Sequence, residues 1–366
     1  MRGVPIAGIL AAIIVVTGAT GAERVSGAAV SAQPPATVAL VGKGTRAAFM
    51  RVDPGTLEPL PGFGSVRLPP HAFFDLSEDS TRIAIATPQQ AVIVETASGR
   101  TLWREPNGYD VSYSLYWVGR HRNALPQAIA VGESKFGYEY TALTVRGSHG
   151  FSVDTDLWPA SALRGALVLL GEGWPGEGAV KGAVRYFGRG GHPTVFLEDL
   201  PTAQTRVVAD VAGDRLFVVY SSGTIAQIDG GVTYHAVPLN GRDFDAVWAG
   251  HGQIAIWGPD GLGTIDTRTW STRSLAPAAA GAVPTNLGLV SWSRADGLSV
   301  FAPDGHRRLH VLKGKTAHHV SALGRYAYAH VASKQFAIDL KSGRVRAIRS
   351  DATVVVPTLV TGHVSF

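Results

Sequence analysis

The chain contains no cysteine among its 366 residues, which excludes disulfides and thiolate-held metal centres. No apolar run is long enough for a comfortable membrane span. The best, Val4 to Val16, falls short of the roughly 20 residues a spanning helix needs. A Gly-x-Ser-x-Gly elbow is absent, so a serine hydrolase of the α/β type lacks its local signal. Charged residues make up only 17% of the chain, and the 33 Lys and Arg against 28 Asp and Glu are dispersed. The densest basic groups, Arg120-His121-Arg122 and His306-Arg307-Arg308, are short. A nucleic-acid binder concentrates its positive charge on one face or in one run, so no nucleic-acid partner is expected. The net charge of +5 reads as a solvated surface, with contact to anionic envelope polymers as the other reading.

What is present is a turn-rich globular composition: 45% hydrophobic residues, 44 Gly and 21 Pro. The stretch Ser80 to Glu105 shows how they are used. Ile83-Ala84-Ile85-Ala86 breaks at Thr87-Pro88-Gln89-Gln90, and Ala91-Val92-Ile93-Val94 turns at Glu95-Thr96-Ala97-Ser98-Gly99. Arg100-Thr101-Leu102-Trp103 leaves, and Ala72-Phe73-Phe74-Asp75-Leu76 precedes. Short β-branched runs bounded by Gly or Pro predict four antiparallel strands. In the last turn the acidic side chain is expected to accept backbone N–H groups, and Gly99 to supply a positive φ.

The unit recurs. Its second strand is expected at Val38–Val41, Ile83–Ala86, Ala128–Val131, Leu167–Leu170, Leu216–Val219, Ile254–Trp257, Leu289–Trp292 and Tyr326–Ala329. Those starts lie 45, 45, 39, 49, 38, 35 and 37 residues apart. An all-β period near 40 residues is the mark of a propeller array. Asp339 to Arg344 copies the Glu95 to Arg100 turn, and Asp53-Pro54-Gly55-Thr56 and Asp266-Thr267-Arg268-Thr269 are looser copies. The first unit has no strand ahead of Val38, and the last is followed by a spare one, Thr353-Val354-Val355-Val356. Pairing of the two would close the ring and hide its edges. The fold expected is an all-β propeller of eight four-stranded blades, with seven as the alternative. Trp103, Trp117, Trp248, Trp257, Trp270 and Trp292 are expected in the core or between blades.

Residues 1–32 read as a signal peptide or N-terminal anchor with a short linker. Arg2 precedes the apolar segment, and small residues ending at Ala22 or Ala32 offer cleavage sites. Residues 36–366 read as a single propeller domain. A secreted or extracytoplasmic, envelope location is therefore expected, with membrane contact only through an uncleaved N-terminal segment.

The segment Glu95 to Trp103 resembles the acid, threonine-glycine, tryptophan pattern of quinoprotein-like propellers, and the wider chain looks like the WD-repeat and YVTN-type propeller superfamilies. The resemblance implies a fold and an extracytoplasmic habit rather than an activity. Quinone-dependent members carry a vicinal cysteine pair, which this chain lacks, so no quinone cofactor is expected.

Other motifs yield little. Gly171-Glu172-Gly173-Trp174-Pro175-Gly176 has dinucleotide-fingerprint spacing, but Pro175 and the following glycines open no helix. Gly314-Lys315-Thr316 has Leu309 where a phosphate-binding loop needs glycine. On a strand, His318 and His319 would point to opposite faces, so no metal site is expected. Asp154-Thr155-Asp156 and Asp243-Phe244-Asp245 could each place two acids on one face, for Ca²⁺ or acid–base work, but read first as solvated turns. No cofactor is expected.

By the propeller resemblance, a ligand would meet the face built from loops entering the innermost strand and loops joining the second and third strands. On it we expect Tyr109, Lys135, Tyr138, Trp174, Arg242, Asp243, Asp245 and His319, because loop aromatics and charges bind without reshaping the core. No catalytic residue is assigned. The expected function is that of a monomeric, non-enzymatic binding protein for a protein or glycan of the cell envelope. The alternative is a hydrolase, lactonase or lyase with acids and His gathered at the channel mouth.

Overall fold

A computed structural model describes residues 36–42, 44–62, 66–106, 110–119, 127–134, 137–152, 156–163, 166–172, 183–187, 193–197, 205–239 and 244–358. They belong to one compact unit, 35–366, and form eight four-stranded antiparallel sheets. Sheets 2 to 8 each take four strands consecutive in the chain. Their first strands are Phe73–Leu76, Val111–Trp117, Asp156–Leu163, Thr205–Asp210, Asp245–Gly250, Gly281–Thr285 and Ala317–Leu323. Their second strands are Arg82–Ala86, Ala128–Ser134, Ala166–Glu172, Arg215–Tyr220, Gln253–Gly258, Gly288–Ser293 and Tyr326–Val331. Every expected second-strand segment lies in second position, Val38–Val41 of sheet 1 included.

The reason the second strands were so legible is physical. Ile83, Ala84, Ile85 and Ala86 are all buried, as are Leu216 to Val219. A strand covered on both faces must be apolar at every position rather than at alternate ones. First strands of neighbouring sheets touch one another, for example Phe73–Leu76 with Val111–Trp117 and Thr205–Asp210 with Asp245–Gly250. That places first strands innermost and leaves fourth strands, such as the largely exposed Val232–Ala236, at the outside.

Each of eight hydrophobic clusters is shared by two sheets. Seven join successive sheets along the chain. The eighth joins sheet 8 to sheet 1, packing Tyr328 and Ala337 against Ala39, Val52, Leu57, Ala352 and Val354. Each large aliphatic side chain buried in this way contributes about 1.5–3 kcal/mol. Among the expected tryptophans, Trp117, Trp257 and Trp292 are buried. Trp103, Trp248 and Trp270 are partly buried against clusters.

Sheet 1 draws on both ends of the described chain. Val38–Val41, Ala48–Arg51 and Val66–Arg67 are joined by Ala352–Val354, with Ala39 opposite Val354 and Val41 opposite Ala352. The expected spare strand thus lies one residue earlier than read. Val355 N–H still donates to the Val38 carbonyl at 2.9 Å, and the Tyr328 hydroxyl of sheet 8 donates to the Pro54 carbonyl at 2.9 Å.

One buried carboxylate fastens this region. Asp75, on the first strand of sheet 2, is 1% exposed. Its Oδ1 accepts the N–H groups of Leu76 and Thr358, both at 2.9 Å, and the Thr358 hydroxyl at 3.0 Å. Its Oδ2 accepts the Trp117 N–H at 2.8 Å, while the Trp117 indole N–H donates to the Asp75 carbonyl at 2.8 Å. The innermost strands of sheets 2 and 3 and the segment after Ala352–Val354 therefore meet at one side chain.

The four related turns share a backbone rule. The fifth residue donates its N–H to the carbonyl of the first: Gly99 to Glu95, Gly343 to Asp339, Trp270 to Asp266 and Leu57 to Asp53. That fifth residue has positive φ in each, 73°, 74°, 58° and 58° respectively. The looser copies therefore keep the geometry with a non-glycine residue held by packing. Leu57 is fully buried, and Trp270 stacks on His235 at 3.7 Å. In the aspartate copies the carboxylate accepts turn N–H groups, as Asp339 does from Lys341 at 2.9 Å and Asp266 from Arg268 at 2.8 Å. Glu95, one methylene longer, instead accepts the Ser98 hydroxyl, so the expected capping holds for aspartate only. Gly343→Ala should cost about 1 kcal/mol, read as a lower urea midpoint. Its Cβ would also fall 2.6 Å from Leu309 Cδ1, a side chain able to yield.

Candidate binding face

First strands begin, and second strands end, along the same margin of every sheet, because neighbouring strands run antiparallel. Exposed side chains at those positions share one face. On sheet 2 the margin opens with Phe73, a large hydrophobic left 38% exposed. On sheet 6 it opens with exposed Asp245.

Asp245 is tied to a neighbour rather than standing alone in a solvated turn. Arg206, on the first strand of sheet 5, donates Nε–H to Asp245 Oδ1 at 2.9 Å and a terminal N–H to the Thr205 carbonyl at 3.1 Å. Its guanidinium carbon lies 5.8 Å from the Phe244 ring centre. The two paired side chains are 37% and 59% exposed, so the ion pair is worth about 1 kcal/mol at most. It can open at little cost when a charged group arrives. The sequence reading missed Arg206; its signal was a charge just ahead of the apolar run Val207-Val208-Ala209.

His319 lies inside the first strand of sheet 8, not in the loop before it. A register shift between His318 and Ser321 inserts one extra residue, and His319 takes φ +45° there. Such a bulge changes where a side chain aims. The His319 ring comes edge-on to His330, at the end of the second strand, with centres 6.0 Å apart and planes at 87°. Burial, and then the nearness of His319, lowers the His330 pKa below the ordinary imidazole value. Also on this margin, the Tyr220 phenol is pushed up to about 12 by burial and by Tyr234 and stays a neutral donor.

Tyr138 sits in the third strand of sheet 3, Gly137–Thr144, opposite Glu133. Tyr109, Lys135, Trp174, Arg242 and Asp243 lie outside the described residues. Asp245 and His319 fall on the same margin but on sheets two apart. Among the described residues no group of three or more His, Cys, Asp or Glu converges.

No protein-family model and no curated protein sequence matches the chain. Solved structures do. Dihydro-heme d1 dehydrogenase NirN is similar over 89% of this chain and 74% of its own, with a TM-score of 0.52 at 14% identity. The fold is that of a β-propeller. A eukaryotic initiation factor matches over 88% of this chain and 99% of its own, with a TM-score of 0.52 at 12% identity. The computationally designed Ika8 protein matches over 76% and 87%, with a TM-score of 0.51 at 10% identity. A dehydrogenase, an initiation factor and a designed protein on one architecture carry no common chemistry, so the likeness concerns the fold alone.

Proposed function

We propose that the chain is an exported, monomeric propeller of eight blades, closed by Ala352–Val354, that binds a protein or glycan of the cell envelope without catalysing a reaction. In this reading residues 1–32 direct export and 36–366 form the binding domain. The observation that carries it is the margin where first strands begin. Exposed Phe73, Asp245 and His319 recur there on sheets 2, 6 and 8, where a ring would gather them round one opening. An exposed ring, a carboxylate in a weak ion pair and a histidine supply stacking area and directed hydrogen bonds on a stiff support. The expected Tyr138 and Trp174 would complete the rim.

The test uses immobilised protein presented with defined envelope glycans and envelope proteins. A triple variant, Phe73→Glu, Asp245→Lys and His319→Glu, should weaken retention of the bound component by about tenfold or more while leaving the melting temperature nearly unchanged. Retention that ignores all three substitutions, or turnover of the presented component, overturns the proposal.

A further inference from the structure

We propose that His319, His330 and Gln335 form a binding site for a divalent transition ion of the Zn²⁺ class on the margin of sheet 8. This goes beyond the docking function and stands independently of it.

The first argument is distance. An ion about 2.1 Å from an imidazole nitrogen lies about 3.2 Å from that ring's centre. Two imidazoles on one ion therefore stand about 5.2 Å apart at the tetrahedral angle and about 6.4 Å apart when opposed. The His319 and His330 rings, 6.0 Å apart and nearly perpendicular, fall inside that interval. Plain alternation along a strand would have separated His319 from the face of its neighbours. The positive φ at the bulge removes that obstacle.

The second argument is an orphaned acceptor. Gln335 is directly opposite His330 in the next strand, and opposed residues share a sheet face with Cβ atoms about 5 Å apart. Its side chain is 3% exposed, yet its amide oxygen is buried with no hydrogen-bond partner among the described residues. A buried carbonyl left unpaired destabilises the folded state. An ion held between the histidines would give that oxygen a partner.

Two imidazole nitrogens and one amide oxygen suit Zn²⁺ or Ni²⁺. They suit Ca²⁺ and Mg²⁺ poorly, because those ions want all-oxygen shells. His319 is exposed and His330 half-buried, so an ion has a path in. Three protein ligands leave a fourth position open.

Calorimetric titration of the full chain with ZnCl₂ should show one saturable site, and CaCl₂ or MgCl₂ should show none. His319→Ala and His330→Ala should each weaken Zn²⁺ binding by about tenfold or more. Gln335→Glu should tighten it by about tenfold by supplying an anionic oxygen, an effect a merely structural role for Gln335 would not produce. His310→Ala, a histidine bonded instead to the Asp296 carbonyl, should leave it unchanged. Should Gln335→Glu fail to fold, the two histidine variants, whose side chains reach solvent, still decide the question. Absence of a one-to-one site, or equal Zn²⁺ affinity in His330→Ala, overturns the assignment.

Discussion

Asp75→Ala should lower unfolding free energy by about 3–5 kcal/mol in urea melts, among the largest single-residue losses open to this fold. The substitution removes the acceptor for the N–H groups of Leu76, Trp117 and Thr358 and for the Thr358 hydroxyl. Donors left unpaired in a site that excludes water cost more than the bonds were worth. Asp75→Asn keeps one acceptor oxygen and should lose about half as much. The carboxylate also makes stability depend on pH. Burial pushes Asp75 up from 3.8 to about 7, against the opposing pull of the Trp117, Thr358 and Leu76 donors. Between about pH 4 and pH 7 the unfolded chain has released this proton while the folded chain keeps it. The group's contribution is therefore largest below pH 4, falls as pH rises to about 7, and is level above that. At about 1.4 kcal/mol per unit the fall is at most about 4 kcal/mol. Melts of the native protein and Asp75→Asn across this range should therefore move in favour of the variant as pH rises. A difference that stays flat would show a carboxyl with an ordinary pKa.

Asp75 also marks where sequence reading stops. The run Phe73-Phe74-Asp75-Leu76 announced a strand, but no reading of the residues singled out the acid within it. Nothing nearby pointed to Thr358, 283 residues away. Second strands were legible because burial on both faces writes itself as an unbroken apolar run, and the turns because one acid and one left-handed residue recur. The candidate face was less so. Asp245 was visible, but its partner Arg206 is on another sheet. His319 was visible, but the bulge that turns it toward His330 arises from strand pairing, which local spacing does not encode. The expected capping by Glu95 failed over a single methylene, a scale finer than any pattern of residue types.

Deleting residues 352–366 should abolish cooperative folding at 37 °C, because the segment Ala352–Val354, with the residues after it, serves three structures at once. It buries Ala352 and Val354 between sheets 8 and 1 and Val355 between sheets 1 and 2. It supplies the inner ladder for Val38–Val41 and delivers Thr358 to Asp75. Losing about three buried side chains and the Asp75 bonds removes several kcal/mol, comparable with the whole stability of many domains. The N–H and C=O groups of Val38–Val41 would then form an open edge, so the truncated protein should also self-associate. A milder variant, Val354→Asp, buries one unpaired charge in the same seam and should lower the melting temperature while leaving a single transition. Supplying the missing segment as a separate peptide should restore the transition to the truncated chain in a concentration-dependent way, because binding only the folded form stabilises it by mass action. If the truncated protein instead melts like the intact one, sheet 1 holds without its fourth strand. The fold would then owe its stability to the seven junctions made along the chain, and the junction of sheet 8 with sheet 1 would be a consequence of folding rather than a cause.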